Sequence, residues 1–331
     1  MPGAQERVLR RRIASVQNTK KITRAMELIA ATRMVKAQQR ANEARPYAER
    51  ITEVIQDLSA AGAEVDHPLL RPVDQVNKVG VIVLAGDRGL AGAYNTTVIR
   101  AAEREIQAAR SDGKEFALVT VGRKSEAYFK FRNYEIDASY NGFTDRPTYE
   151  QAATIAARVT DLFVNGGCDR IELAYTRFVS LGTQQVVVRR FLPLQSARTI
   201  ADAGDAGATA GFEFEPSPNA VLESLLPRYV ESRLYSALLE SAASELASRQ
   251  RAMKSATDNA QELITKYTRK MNQVRQEAIT TEIMEIISGA EALADDKSGP
   301  EDLLLDHLST GPFPRVLDRR LQHSRPDATR A

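Results

Sequence analysis

The sequence predicts an α/β protein: a long antiparallel two-helix coiled coil formed by the N- and C-terminal segments, plus a central α/β domain. Three observations predict it. One apolar seam at four-and-three spacing lies near the N-terminus, a second lies near the C-terminus, and strand-like and helix-like stretches alternate between them.

The first seam runs through Ala30, Met34, Ala37, Ala41, Ala44, Ala48, Ile51, Ile55 and Leu58. Steps of four and three keep one stripe facing a partner helix along its whole length. Alanine at so many of these positions lets the partner come close. Leu9, Ile13 and Val16 begin a similar stripe, so one helix is expected over 4–58 within an N-terminal segment of 1–60. Pro46 should bend it, because its ring and missing N–H disturb the hydrogen-bond ladder.

At the other end Leu246, Met253, Ala260, Tyr267 and Val274 recur every seven residues. Met271 and Ala278 then lead into Ile279, Ile283, Ile286, Ala290 and Leu293 at four-three spacing. From Asn219 the first glycine is Gly289 and the only proline is Pro227, so a second helix is expected over 219–293, started by the Ser-Pro-Asn turn. At 1.5 Å per residue the two helices are roughly 80 and 110 Å long, while a compact chain of this size has a radius of gyration of about 20 Å. They exceed any globule of their own chain. Paired antiparallel with their inner ends at the middle domain, they bring residue 4 near residue 273 and leave 275–293 as a lone overshooting helix. Its Ile279, Ile283, Ile286 and Ile287 then need enclosure by another protein.

The central segment, 61–218, changes texture. Stretches 79–85, 116–122, 170–178 and 185–192 read as strands, and 92–110, 123–131 and 148–165 as helices, which suggests a Rossmann-like α/β domain with a mostly parallel sheet. The small-residue run ADAGDAGATAG at 201–211 reads as a flexible loop. Residues 294–331, with four prolines, seven acidic and six basic side chains, read as a tail that is disordered or forms a short helix around 301–308.

Composition narrows the function classes. A single cysteine, Cys168, excludes an internal disulfide, and His67, His307 and His323 have no metal-ligand spacing, so neither a metal nor any other cofactor is expected. No run is apolar enough to span a membrane, and an arginine-rich N-terminus without an apolar core does not read as a secretory signal. Residues 1–50 carry twelve Lys/Arg against four Asp/Glu. Such an excess fits a solvated helix face, an acidic protein surface or nucleic acid. Against nucleic acid, there is no Trp and aromatics do not interleave with the basic tract from Arg10 to Lys21.

VIVLAGDRGLAGAYN (81–95) is the one motif that suggests a nucleotide. Its glycines, Gly86, Gly89 and Gly92, match neither dinucleotide nor P-loop spacing, no lysine follows, and the carboxylate of Asp87 would repel a phosphate. The alternative is a structural turn formed by Gly86, Asp87, Arg88 and Gly89, whose glycines permit positive φ and whose Asp-Arg pair caps a helix starting near Gly92. No histidine stands near a serine or Cys168 in a catalytic pattern, and Cys168 fits a small buried position before a strand.

The sequence ESAASELASRQRAMKSATDNAQELITKYTRKMNQVRQEAITTEIMEIISGAEAL (240–293) closely resembles the terminal helix of the gamma subunit family of F-type ATP synthase. Ile279, Thr280, Glu282, Glu285, Gly289 and Ala290 match that family's signature, and AMKSATDN (252–259) a second characteristic run. RRRIASVQNTKKITRAMELIAATRMVKAQ (10–38) is similar to its first helix. DRGLAGAYN (87–95) is similar to its central-domain landmark, with Ala91 where many members have cysteine. The resemblance covers about 3–293, and this chain continues beyond the usual end.

The resemblance implies a central-stalk rotor subunit, non-catalytic itself, that transmits rotation between a proton-driven membrane ring and a catalytic alpha/beta hexamer. Implied partners are the alpha and beta subunits, the epsilon subunit and the c-ring, with no nucleic acid and no direct membrane insertion. Lys20, Lys21, Arg24 and Met26 match positions facing an acidic loop of the beta subunits, and Arg275, Gln276 and Thr280 positions at a second loop nearer the tip. A lone cysteine excludes the paired-thiol regulation of the chloroplast form. The absence of a transit peptide favours a bacterial protein, peripheral on the cytoplasmic face of the plasma membrane. The competing readings are a nucleotide-binding α/β enzyme with coiled-coil arms and a coiled-coil nucleic-acid-binding protein. If the resemblance holds, Met26→Lys leaves assembly intact but lowers the protons pumped per ATP hydrolysed, because a new cation grips the acidic loop more tightly.

Overall fold

The computed structural model describes residues 2–60, 67–71, 73, 75–194 and 215–295. The 201–211 loop lies outside the described residues, as do the expected short helix at 301–308 and all of the tail beyond residue 295. Helix α1 runs over Pro2–Ala60 with Pro46 inside it. A short 3-10 turn, Pro68–Leu70, leads to β1 (Lys78–Leu84) and α2 (Tyr94–Ser111). Then come β2 (Glu115–Val121), α3 (Arg123–Phe131), β3 (Ala138–Tyr140) and α4 (Tyr149–Val164). Strands β4 (Arg170–Phe178) and β5 (Gln184–Leu192) precede the 78-residue α5, Pro218–Asp295. The chain divides into two compact units, one of Ala14–Thr265 and one of Met1–Ile13 with Lys266–Ala331.

In the larger unit the five strands lie in the order β3-β2-β1-β4-β5. The first four run parallel and β5 pairs antiparallel with β4. Because β1 is central it is apolar on both faces, as parallel strands between two helical layers must be. Val79, Val81 and Val83 pack with Val98, Ala102 and Ile106 of α2 and Phe129 of α3. Ile82 and Leu84 join the other core, shared with Ile155 and Val159 of α4, Leu222, Leu226, Val230 and Leu234 of α5, and Ile51, Ile55 and Leu58 of α1. Each fully buried aliphatic side chain here contributes about 2 kcal/mol. One core therefore ties both terminal helices to the sheet.

Beyond the sheet the two helices form a seam of their own. Met34 and Ala37 pack with Ala243, Leu246 and Ala247. Further along, the hydroxyls of Thr23 and Thr257 meet at 2.8 Å and Lys20 Nζ donates to Gln261 Oε1 at 2.6 Å. Partner numbers fall on one helix as they rise on the other, which is the antiparallel coiled coil.

In the smaller unit Val274 is buried and Leu9, Ile13, Met271 and Ala278 are half-buried. From 279 to 293 every residue is exposed.

Three local expectations need correction. Strand β3 is absent from the sequence reading, because three half-polar residues at a sheet edge carry no alternation long enough to register. Helix α2 starts at Tyr94, and its N-cap, Ala93, makes no side-chain cap, so the Asp-Arg pair does not cap it. Positive φ falls at Leu90 (62°) and Gly92 (59°), not at Gly86 or Gly89. By contrast α4 has a full capping box, with Thr148 Oγ1 accepting from Gln151 N and the Gln151 side chain accepting from Thr148 N.

Gly122, at the β2–α3 junction, has φ of 96° and its missing Cβ would lie 2.2 Å from the carbonyl oxygen of Ala85. Gly122→Ala therefore combines a strained backbone with a clash against main chain, and a loss of at least about 3 kcal/mol is expected in urea unfolding.

Candidate functional site

The turn after β1 is held from three sides. Gly86 N donates to Asn95 Oδ1 at 2.7 Å, and Asn95 Nδ2 donates back to the Arg88 carbonyl at 3.1 Å, so α2 grips the turn without capping through Asp87. Asp87 reaches the other way. Its Oδ1 accepts from Arg123 N at 3.1 Å at the start of α3, and its Oδ2 accepts from Gly142 N, Thr144 N and Thr144 Oγ1 at 2.9 to 3.1 Å. Burial alone would raise its pKa, but these donors outweigh burial and hold the carboxyl below the usual range.

The third side is α5. Glu245 and Arg249 are buried and paired at 2.6 Å, and Arg249 also donates to the Gly89 carbonyl at 3.3 Å. Burial pushes the Glu245 pKa up, against the attraction of Arg249. A Cβ on Gly86 would sit 2.7 Å from Glu245 Oε1. Gly86 is thus glycine for close approach to a carboxylate, not for its φ. Glu245, Arg249 and Asn95 escaped the sequence reading. The available signal was an i, i+4 charge pair inside a helix whose neighbours are small and apolar, which marks a charge that cannot reach solvent.

The residues matched to partner loops fall in both units. On α1 in the larger unit, Arg24 donates to both carboxylate oxygens of Glu27 at 2.8 and 2.9 Å, Lys20 is tied to Gln261, Lys21 is exposed and Met26 is half-buried. On α5 in the smaller unit, Arg275 and Gln276 are exposed, and exposed Thr280 donates to the Gln276 carbonyl at 2.9 Å. Glu282, Glu285, Gly289 and Ala290 are exposed as well, and a Cβ on Gly289 would meet no atom of the described residues within 4 Å. Cys168 is buried before β4, with its thiol pushed up to about 11 by desolvation. Among the described residues no group of His, Cys, Asp and Glu could hold a metal ion, and no helix is long and apolar enough to cross a membrane.

A two-helix coil rooted in a doubly covered, mostly parallel sheet defines a class of protein, the coiled-coil shaft with an α/β foot. The same fold occurs in the Euglena gracilis mitochondrial ATP synthase, with a TM-score of 0.64 over 91% of this chain and 98% of that one at 16% identity. A chain of the central stalk and c-ring structure from Tetrahymena thermophila gives 0.54 over 71% and 99% at 24% identity. The ATP synthase family model matches residues 5–293. The chain is 51% identical over 296 residues to the ATP synthase gamma chain of Frankia casuarinae, covering 88% of this chain and 99% of that one. It is 50% identical over 300 residues to that of Kineococcus radiotolerans, covering 89% and 99%. The chain belongs to the ATP synthase gamma chain family.

Asp87 gives this turn a pH dependence whose sign is set by its lowered pKa. The stability it contributes is present above the unfolded value of about 3.9 and is lost as pH falls through the lower folded value. Asp87→Asn should therefore unfold more readily than the parent at neutral pH, with a shallower loss of thermal midpoint below about pH 4.

Proposed function

We propose that this chain is the non-catalytic rotor shaft of its complex, with the chemistry of ATP carried by the alpha and beta subunits around it. The observation that carries the reading is the exposed stretch 279–293, in which Ile279, Ile283, Ile286 and Ile287 are 46, 50, 71 and 54% exposed. An isoleucine stripe of that size in water favours association. A partner sleeve that shields it without bonding to it lets a helix turn inside. Gly289 supports the same reading. Glycine costs about 1 kcal/mol in a helix interior relative to alanine, and among the described residues no neighbour requires it, whereas a closely approaching sleeve would.

The alpha and beta subunits form that sleeve. The basic face of α1, with Lys20, Lys21, Arg24 and Met26, meets an acidic loop of the beta subunits, and Arg275, Gln276 and Thr280 meet a second loop. The sheet domain is the foot that bears the epsilon subunit and stands on the c-ring, at the cytoplasmic face of a bacterial plasma membrane. Torque entering the foot passes to α5 through the shared apolar core and the Glu245–Arg249 clamp on the glycine turn. A helix tied to its foot only by an apolar face could slip in register, and a directional buried pair opposes that. The link to ATP is mechanical.

Two measurements test this. The chain should co-purify with three alpha and three beta subunits per copy. The double substitution Ile283→Asp/Ile286→Asp should leave the isolated chain's stability within about 0.5 kcal/mol, as exposed sites do, while abolishing coupled ATP synthesis in the assembled complex. Full synthesis by that variant would refute the sleeve.

A further inference from the structure

The chain contains two Asn-Gly dipeptides, Asn141–Gly142 and Asn165–Gly166. Asparagine is thermolabile in this context, because a following glycine has no Cβ to keep its backbone nitrogen away from the asparagine side chain. That nitrogen attacks Asn Cγ, its proton leaves with the amide as ammonia, and a cyclic succinimide forms. Water then opens either ring carbonyl, giving aspartate or isoaspartate, in which the main chain runs through the former side chain. Nothing is oxidised or reduced, and the only co-reactant is water.

Both dipeptides are exposed, but the fold holds their nucleophiles differently. Gly142 N donates to Asp87 Oδ2 at 2.9 Å, a bond strengthened by the charge of its acceptor. Asp87 is itself fixed by Arg123 N and by Thr144, so this nitrogen is anchored to three segments at once. Asn141 Nδ2 is engaged as well, by Glu126 Oε2 and by Ser139 Oγ at 3.2 Å. Asn165, by contrast, is the C-cap of α4, and Gly166 N makes only a long bond, 3.3 Å, to the uncharged Phe163 carbonyl. Its side chain donates to Asp161 Oδ1 at 2.5 Å within the same turn. Attack here requires only that the last turn of α4 opens, and helix ends open at little cost.

We propose that Asn165–Gly166 is the position at which the folded chain deamidates, while Asn141–Gly142 is shielded by the Asp87 carboxylate. The inference is independent of the rotor reading. The product puts a carboxylate at the negative end of α4, four residues after Asp161, and removes the amide donor that Asp161 accepts. Isoaspartate also adds a carbon to the main chain just before Gly167, whose missing Cβ would lie 2.9 Å from the Leu162 carbonyl oxygen. The close passage from α4 to Cys168 and β4 therefore loosens as the protein ages.

The full chain is incubated in mildly alkaline buffer, folded and separately in urea, then digested, and the peptides carrying residues 141 and 165 are resolved into Asn, Asp and isoaspartate forms. Each folded rate is taken relative to the rate of the same residue in urea, which removes the effect of neighbouring sequence. Folding should slow Asn141 at least about tenfold more than Asn165. Asp87→Asn should then raise the folded rate at Asn141 and leave Asn165, the internal control for global unfolding, unchanged. Equal slowing of the two residues on folding, or an Asp87→Asn variant in which Asn141 gains no more than Asn165, would overturn the proposal.

Discussion

The rest of the larger unit depends on the antiparallel contact between α1 and α5. Two helices from opposite ends of the chain approach along small residues, Ala37 on one and Ala243 and Ala247 on the other, which lets their backbones come close there. Neither helix is a good amphipath taken as a whole, and neither folds for its own sake. What stabilises them is shared burial, first against each other and then, through Ile51, Ile55, Leu58, Leu222 and Leu226, against the sheet. The seam also carries polar groups that pair across it, Thr23 with Thr257 and Lys20 with Gln261, and these set the register that an alanine seam alone leaves loose.

The buried Glu245–Arg249 pair works on the same constraint from the other side. Such a pair gains little stability over an apolar replacement, because the cost of removing two charges from water is of the order of the attraction recovered. Its value is geometric. One carboxylate oxygen and one carbonyl, that of Gly89, fix where the guanidinium sits, and that in turn fixes where α5 crosses the glycine turn. Gly86 is the complementary half of this arrangement, since a Cβ there would lie 2.7 Å from Glu245 Oε1 and force that carboxylate to shift.

Much of the architecture was legible before any coordinates. Periodicity distinguished the long helices from the alternating centre, because a four-three stripe sustained over many turns has few other solutions. The exposed stripe from Ile279 to Ile287 was legible for the same reason. Local chemistry was less so. β3 is too short to show a pattern, and the sequence places Asp87 at the start of α2 although the fold turns it to Arg123 N at the start of α3, because an Asp in a turn can serve any helix start that folding brings near it. Glu245 and Arg249 looked like two more surface charges on a helix rich in them. Nothing in sequence spacing says that this part of α5 is enclosed on every side.

The sequence by itself therefore determined the elements that rest on repetition: two helices too long for a globule, a mostly parallel sheet between them, and an apolar stripe exposed beyond the last seam residue. Periodicity is a local property and survives without knowledge of neighbours. Tertiary structure decided everything that rests on which atoms meet. It turned Asp87 toward α3 and set Gly86 against the carboxylate of a residue 159 positions away. Those contacts join segments far apart in the chain, and only the folded packing of α5 across the sheet brings them within reach of one another.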